Sequence, residues 1–524
     1  MPGWLRHLPL MVILAGIGCL AMFVPALHAL VMRDHFVARN FLYAGTLGLV
    51  LVTLAGLATI GEPPAPGTAR QARSHLLTLV GAFSALPLLL AIPFNESIPD
   101  TGLFNAWWEM VSSITTTGAT LYEPGRLGPS LHLWRALVGW MGGFFILVAA
   151  LSILAPLKIG GFEVLSSTTA RREIAGLTGD GSDPAARLLR IAGLTAPIYA
   201  TLTAALWMGL FLAGDSALVA LCHAMATVST SGITPVVGPV SGVAIGPAPP
   251  GLTAGSGHLG EAMIAVVLVM ALSRRLWPGE GELRASPQLR DDPELRLAAV
   301  IVLAVPLALF ARHFLTLLES TGTAANPWQG FVDGAQMIWG AGFTALSFLT
   351  TTGLESREFG VVQGWSGLSA PGLILAGLAI MGGGIATTAG GVKLLRVAAL
   401  MLHGQAEMNR IIHPSGVEGG GRMARQLRGQ GAYLSFIFFM LFAVTIAVVM
   451  ALISMAQLPF IQSMMLAISA LTNTGPLAAV SGTIAGTWIE IAPPARGVLA
   501  AAMIVGRLET LAILALFNPD LWRN

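Results

Sequence analysis

The sequence Thr116-Thr117-Gly118-Ala119 recurs in related form three times, as Thr230-Ser231-Gly232-Ile233, Thr351-Thr352-Gly353-Leu354 and Asn473-Thr474-Gly475-Pro476. One short Thr-Gly motif carries little information, because both residues are common in membrane helices. Here the four glycines are separated by 114, 121 and 122 residues, and each copy follows a short apolar stretch. Recurrence at a nearly fixed interval predicts four copies of one structural unit.

The composition places these units in a membrane. Of the 524 residues, 55% are hydrophobic and only 10% are charged, whereas about 25% of the residues of a typical soluble domain are charged. The 28 basic and 26 acidic residues nearly balance, and no basic block of the kind that binds nucleic acid stands out. Cys19 and Cys222 are the two cysteines, too few for a disulfide framework or a cysteine-rich metal site. We therefore expect a polytopic membrane protein that does not bind nucleic acid.

A helix needs about 20 apolar residues to cross a bilayer, and ten stretches approach or exceed this length. They are 8–32, 40–61, 74–95, 136–157, 191–214, 258–278, 295–319, 368–402, 431–456 and 494–518. The alternative for the first is a signal peptide, although its apolar run is longer than such peptides usually carry. Four shorter apolar stretches lie between these spans, at 101–115, 216–229, 331–349 and 459–471. They predict re-entrant helices whose polar ends line a water-filled space, because exposed backbone is not tolerated in lipid.

The distribution of basic residues gives the orientation, because cytoplasmic loops carry the excess of Lys and Arg. Ten spans with both termini in the cytoplasm put most basic residues inside, with Arg135 among the few outside. All four short helices then enter from the outer side. Their C-terminal ends point at the centre and favour a cation, and backbone carbonyls beyond them can replace the water shell of an ion. Glycine suits these positions because it readily adopts positive φ.

Four such units in one chain, each with one glycine in its polar segment, resemble the Trk/Ktr superfamily of potassium uptake proteins. Two extra helices that precede the first unit add to this resemblance. The TrkH branch fits best. Further matching residues are Trp134-Arg135, Trp140-Met141-Gly142-Gly143, Ile159-Gly160-Gly161, Gly382-Gly383-Gly384, Gly390-Gly391-Val392-Lys393, Gly506-Arg507-Leu508-Glu509, Pro519 and Trp522-Arg523. In this superfamily, members with serine at the first glycine tend to pass sodium. Glycine at all four positions therefore implies potassium.

The resemblance implies an all-α polytopic fold in which two leading helices (1–62) precede four M1–P-loop–M2 repeats around one pore. Here M1 and M2 are the spanning helices of a repeat, and P is the pore helix with its loop. The repeats are expected at 63–157, 158–280, 281–405 and 406–524. Potassium would bind at a selectivity filter formed by Thr116, Thr117, Gly118, Thr230, Ser231, Gly232, Thr351, Thr352, Gly353, Asn473, Thr474 and Gly475.

The resemblance also implies a bacterial inner-membrane protein that is no enzyme, has no organic cofactor in this chain, and forms a homodimer. A cytoplasmic nucleotide-binding ring of the TrkA type is the expected partner. The mechanism stays open between channel-like diffusion and coupling of potassium or sodium movement to H⁺ or Na⁺. An alternating-access transporter is another alternative, but it would need inverted repeats, whereas the four units predicted here all enter from the same side. A polytopic membrane enzyme is a further alternative, but the ten histidines form no helical i, i+4 pair and no His-Glu motif.

Residues 382–391 contain five glycines in ten positions, and each glycine costs a helix about 1 kcal/mol relative to alanine. We therefore expect M2 of the third repeat to break there. Close helix packing by small residues is the alternative. The resemblance implies an intramembrane gate below the filter. The expected gate residues are Gly382, Gly383, Gly384, Thr387, Thr388, Gly390, Gly391, Lys393 and Arg507.

Arg507 interrupts an apolar stretch, where an arginine costs about 2.5–3.5 kcal/mol or more. Glu509 is two residues away, on another face of a helix, so the two are not expected to pair. The resemblance implies that Arg507 projects into the pore below the filter. Extension of its side chain to the cytoplasmic surface is the alternative.

Several other charged residues have simpler expectations. Glu123 and Glu355 follow the first and third glycines and can concentrate cations at an outer mouth, although solvated loop charge explains each equally well. Asp215 and Asp333 are expected to cap the second and third pore helices. His223 is expected to hydrogen-bond inside the bundle.

Overall fold

The computed structural model describes residues 9–59, 68–156, 160–164, 184–236, 238–240, 251–277, 292–319, 327–360, 362, 371–413, 431–484 and 487–509. Within these ranges the regular structure is helical. Seven helical segments are long and apolar enough to cross a membrane. They coincide with seven of the ten predicted spans. The other three are the M2 helices of repeats 2, 3 and 4, whose described helical parts are shorter than predicted.

The chain begins with two leading spans. Helices α1 (Leu10–Ala21) and α2 (Phe23–Val31) follow one another as the first span. Helix α3 (His35–Thr59) returns as the second. Many of the large side chains of these helices are exposed, as expected for helices that face lipid at the edge of a bundle.

Among the seven spanning segments that the structure describes, the most deeply buried one belongs to repeat 1. Its M1 is divided into α4 (Thr68–Ser84) and α5 (Leu86–Ser97), and its pore helix is α6 (Leu103–Ile114). Its M2 is α7 (Pro129–Ala149), continued by a π-helical turn to Leu154. In an apolar 18-residue stretch of the spanning segment Pro129–Leu154, 78% of the residues are buried, against 22% in the equivalent stretch of the second leading span. M2 of repeat 1 therefore lies inside the bundle.

The remaining repeats follow the same order of elements. Repeat 2 has α8 (Pro184–Ala213), the pore helix α9 (Ala217–Ser229) and α10 (Gly257–Val269). Repeat 3 has α11 (Pro293–Glu319), the pore helix α12 (Pro327–Leu349), α13 (Pro371–Met381) and α14 (Leu394–Ile412). Repeat 4 has α15 (Gly431–Ser454), the pore helix α16 (Phe460–Leu471), a short α17 (Pro476–Val480) and α18 (Pro493–Leu508).

The four pore helices end within one residue of the predicted positions, but their starts and caps differ in part from the expectation. Asp333 lies inside α12, which begins at Pro327, so it does not start that helix. Asp215 makes no cap either. Its carboxylate accepts a hydrogen bond from the Ser256 backbone N–H at 2.8 Å and lies 3.3 Å from the His223 ring. The prediction that His223 bonds within the bundle is confirmed, whereas both predicted caps are wrong.

Candidate ion pathway

Each pore helix ends in the same left-handed turn. Thr116, Thr230, Thr351 and Asn473 have φ between 51° and 57°, a region that non-glycine residues seldom occupy. The next residue in each copy donates its backbone N–H to a pore-helix carbonyl five residues earlier, at 2.9 Å. These bonds join Thr117 to Ser112, Ser231 to Ala226, Thr352 to Ser347, and Thr474 to Ser469. Because one uncommon turn recurs at four separated sites, the backbone has the fourfold repetition predicted from the sequence.

The segments after these turns meet in a closed ring. If a Cβ atom were added to Gly118, it would lie 2.1 Å from the carbonyl oxygen of Ser231, and one added to Gly232 would lie 2.1 Å from that of Thr352. The third segment meets the fourth where Gly353 lies against Pro476, and the fourth meets the first where the Gly475 N–H donates to the Thr117 carbonyl at 2.6 Å. Each repeat therefore contacts the next, and the absence of side chains on the glycines allows the close approach.

Paired hydroxyl groups lie just below the ring in every repeat. In each pair, the last residue before the left-handed turn is hydrogen-bonded to the residue after it. The pairs are Thr115 with Thr117 (2.8 Å), Ser229 with Ser231 (2.9 Å), Thr350 with Thr352 (3.1 Å) and Thr472 with Thr474 (3.2 Å). These side chains are buried, so four hydrogen-bonded polar pairs lie next to the ring inside an apolar bundle.

The fourth segment departs from the other three. Gly118, Gly232 and Gly353 have the expected positive φ, but Gly475 has φ −54° and ψ −42°, which are helical values. The expectation of positive φ at all four glycines is therefore wrong for this repeat. Pro476 follows it at the first position of α17, where its fixed φ suits the start of a helix. Asn473 donates from Nδ2 to the Thr117 hydroxyl at 3.0 Å and to the Met503 carbonyl at 2.9 Å.

A cavity of about 90 Å³ lies beside the ring, next to the residues that follow the glycines. Its lining includes the four glycines and Glu355. Burial raises the pKa of Glu355 to about 7, so its charge changes near neutral pH. Glu123 is exposed and does not line this cavity. Of the two acids that the sequence suggests for an outer mouth, Glu355 lines this cavity and Glu123 does not.

The chain breaks below the ring where the glycines predict it. Helix α13 ends at Met381 and α14 begins at Leu394. The intervening segment, residues 382–393, is hereafter called the loop. It touches the ring from beneath, since the Gly390 N–H donates to the Thr351 hydroxyl at 2.7 Å. A Cβ atom on Gly390 would also lie 2.2 Å from the Thr472 carbonyl oxygen.

Other contacts hold the loop to the surrounding repeats. The Gly384 N–H donates to the Ala271 carbonyl at 3.0 Å, and the Ile385 N–H donates to the Glu294 carboxylate at 2.8 Å. The Thr388 hydroxyl reaches the Val228 carbonyl at 3.3 Å. Thr387 instead bonds within the loop, to Gly384. The loop is therefore a defined, hydrogen-bonded structure across the bundle, and Gly382, Gly383 and Gly391 lie in close contact with neighbouring backbone.

Lys393 and Arg507 are both buried near this loop. The Lys393 ammonium donates to the Ala389 carbonyl, which closes the end of the loop. Arg507 is 5% exposed and lies in the last turn of α18, beside Gly506, which packs on Leu471 of the pore helix. Within the described part of the chain, its Nε and Nη2 atoms have no hydrogen-bond partner.

The end of α18 differs from the prediction. A single span was expected over 494–518, but the helix ends at Leu508, and Glu509 has φ 63°. The rest of that predicted span lies outside the described residues. As expected, Glu509 does not pair with Arg507. Its carboxylate instead binds the guanidinium of Arg396 at 2.7 Å.

Arg396 is the centre of a buried charge cluster that the sequence did not reveal. It is 0% exposed and binds Glu163 and Glu509, each at 2.7 Å. The Phe438 ring lies 3.7 Å from the guanidinium carbon. The cluster joins residues from repeats 2, 3 and 4. The sequence does show an arginine, Arg396, shortly after the loop. It does not show the partners of this arginine, because they are 233 and 113 residues away.

A second buried ion pair lies behind the first segment of the ring. Arg135, which the distribution of basic residues puts on the outer side, lies near the start of α7, where it is 3% exposed and 2.6 Å from Glu109. The other carboxylate oxygen of Glu109 accepts the Leu121 N–H at 3.0 Å. The sequence feature that could have indicated this ion pair is Glu109, because it is an acid inside an apolar pore helix.

Comparisons with known proteins agree with this architecture. A family model described as TrkH, cation transport protein, matches residues 295–523. The Trk system potassium uptake protein TrkI of Halomonas elongata is 30% identical over 452 residues, covering 85% of this chain and 82% of that protein. The Trk system potassium uptake protein TrkH of Escherichia coli K12 is 27% identical over 515 residues, covering 96% of each.

A solved structure has the same fold. The crystal structure of the potassium transporter TrkH from Vibrio parahaemolyticus superposes with a TM-score of 0.77 and 22% sequence identity, and the match covers 100% of both chains. The named relatives are transport proteins, which confirms the expectation that the chain is not an enzyme. Together with the pore-helix repeats, these matches show that the chain is a multi-pass membrane protein of the TrkH family.

Proposed function

We propose that this protein carries potassium ions across the bacterial inner membrane through the ring of four segments. The observation that supports this most directly is the ring itself, in which four pore helices end in the same left-handed turn and their glycines approach one another. Backbone carbonyls in such rings replace the hydration shell of a cation. The relatives named above are potassium uptake proteins, which favours potassium as the ion.

The twelve filter residues predicted from the sequence are proposed to hold the ion. The left-handed turns orient successive carbonyl groups, and the hydroxyl pairs add oxygen ligands on the inner side. The C-terminal ends of the four pore helices add partial negative charge, which stabilises a cation. The chain itself supplies these groups, and no organic cofactor enters the proposal.

The loop at 382–393 is proposed to act as a gate. It contacts the ring, its glycines permit more than one backbone conformation, and individual hydrogen bonds hold it in the position described above. Arg507 is proposed to place a positive charge in the path below the filter. Its guanidinium is buried, and two of its nitrogen atoms have no partner among the described residues.

The assembly is proposed to follow the resemblance to the TrkH branch. It comprises a homodimer with both termini in the cytoplasm and a regulatory nucleotide-binding ring of the TrkA type on that side. The exposed surface of α14 beyond the loop, which includes Met408, Ile411 and Ile412, provides apolar area for such contacts. Measurement of the mass of the purified complex, with and without the co-expressed ring protein, tests this part separately.

Transport is tested with purified protein in lipid vesicles. Reversal potentials measured in gradients of potassium, sodium and protons are expected to follow potassium alone, as in a channel. A potential that shifts with the proton or sodium gradient indicates coupled transport instead. The proposal is wrong if the vesicles show no potassium flux and the protein fails to support growth of a potassium-uptake-deficient host at low potassium.

A further inference from the structure

Glu261 is a fully buried carboxylate on α10, the M2 helix of repeat 2. Its Oε2 accepts hydrogen bonds from the Trp339 ring N–H at 2.7 Å and the Ser356 hydroxyl at 3.0 Å. Its Oε1 accepts the Arg357 backbone N–H at 2.7 Å. These three donors belong to repeat 3, so Glu261 binds across the boundary between two repeats.

The bonds to Glu261 fix the outer end of the segment that contains Gly353. The rest of this segment is held by its own pore helix, because the Thr352 N–H donates to the Ser347 carbonyl at 2.9 Å and the Leu354 N–H donates to the Ser347 hydroxyl at 2.7 Å. Two and three residues after Leu354, Ser356 and Arg357 bind Glu261. Hydrogen bonds to a charged group are stronger than those between neutral groups, so the carboxylate holds this outer end more firmly than a neutral side chain would.

Repeat 1 uses a carboxylate in the same way. Glu109 accepts the backbone N–H of Leu121, three residues after Gly118, as Glu261 accepts that of Arg357, four residues after Gly353. The source of the carboxylate differs, since Glu109 lies on the pore helix of its own repeat and pairs with Arg135. In both repeats a buried acid binds the backbone just beyond the filter glycine.

We propose that Glu261 is a positioning residue that sets the place of the third filter segment from the neighbouring repeat, and so contributes to the preference for potassium over sodium. This inference rests on the proposed function. A segment released at its outer end lets the ring adapt to an ion of another size. Glu261 acts through the backbone of repeat 3 and does not itself touch the ion.

The test compares Glu261→Gln with the wild type and with Asp215→Asn in vesicles, by uptake of rubidium and sodium. Glutamine has nearly the same volume, but its amide nitrogen cannot accept the bonds that a carboxylate oxygen accepts. We expect the rubidium-to-sodium ratio to fall by about tenfold, the factor that corresponds to 1.4 kcal/mol, while rubidium still enters. Asp215 is a matched control, because it is another buried acid of repeat 2 that bonds near the start of α10 and makes no contact with repeat 3 in the bonds described. Asp215→Asn is expected to keep the wild-type ratio.

The outcomes separate positioning from stability. A purely structural role would lower the yield, or reduce rubidium and sodium uptake in proportion, and an unchanged ratio in folded Glu261→Gln overturns the inference. If Glu261→Gln cannot be purified, Trp339→Phe tests the inference instead. This variant removes the ring N–H that donates to Glu261 and leaves the carboxylate in place. A lower ratio in Trp339→Phe supports the inference and a wild-type ratio overturns it. If the wild type itself shows no preference for rubidium, the proposed function has failed rather than the role of Glu261.

Discussion

At the scale of single residues, Gly118 shows how closely the ring is packed. A side chain at this position would begin 2.1 Å from the Ser231 carbonyl oxygen and would sit on a residue with φ 75°. We therefore expect Gly118→Ser to displace the first segment and to admit sodium, which lowers the potassium-to-sodium ratio measured in vesicles. Gly128→Ser is the control, since nothing lies within 4 Å of its added Cβ atom. A wild-type ratio in Gly118→Ser would contradict the proposed role of the ring.

Arg507 gives a prediction about rate. A fixed positive charge near the path raises the energy of each passing cation by about 1–2 kcal/mol at moderate effective dielectric. Arg507→Met, which keeps most of the side-chain volume, is expected to increase potassium flux by roughly tenfold, whereas Arg507→Lys is expected to stay close to the wild type. The measurement is flux per reconstituted molecule. If Arg507→Met expresses normally and gives wild-type flux, the guanidinium does not face the ion path.

Glu355 gives a prediction about pH. Because burial raises its pKa to about 7, the carboxyl group is neutral below this pH and charged above it. The charged form attracts cations to the cavity beside the ring, so we expect potassium uptake at limiting concentration to rise between pH 6 and pH 8. Glu355→Gln should remove this rise and hold uptake at the low-pH level. Glu123→Gln, an exposed acid outside the cavity, should retain it. Persistence of the full pH dependence in Glu355→Gln would assign it to another group.

At the scale of elements, the loop below the ring is the part expected to move. Deletion of residues 385–388 removes the hydrogen bonds to Glu294 and Val228 and leaves the four filter segments intact. We expect higher potassium flux and weaker control by a cytoplasmic partner, with unchanged ion preference. Flux and ion preference are both measured in vesicles, with and without the partner. Loss of preference would make the loop part of the filter, and no change in flux or control would make it a packing element.

The elements also show what sequence patterns can and cannot give. The pore helices and the break at Met381 were predictable, because short apolar runs and clustered glycines act locally. The helix ends at Val269 and Leu508 were not, since apolar composition does not indicate where a helix stops. The helical φ of Gly475 was also hidden, and the hydrogen bond that accompanies it is made with Thr117 in another repeat. The partners of Glu109 and Glu261 are likewise set by packing between distant segments.

At the scale of the whole molecule, the Arg396 cluster joins three repeats next to the loop. Removing one partner of a buried ion pair leaves the other charges uncompensated and costs about 3–5 kcal/mol. Arg396→Met is therefore expected to lower the thermal unfolding midpoint measured in detergent. Arg410→Met removes an arginine from the same helix whose pair with Glu407 is exposed, and such pairs contribute little. Equal midpoints for the two variants would show that the cluster does not hold the repeats together.

The connection of all four repeats in one chain has a consequence for how such a pore can change over generations. In a pore built from four identical subunits, one altered codon changes all four quadrants at once. Here a mutation alters a single quadrant, and the other three are inherited unchanged. The bond from Asn473 to Thr117 illustrates this freedom, because the corresponding positions in the other repeats keep threonine. A bond that is present in only one quadrant can be selected only when each quadrant is encoded by its own stretch of the gene, as it is in this chain.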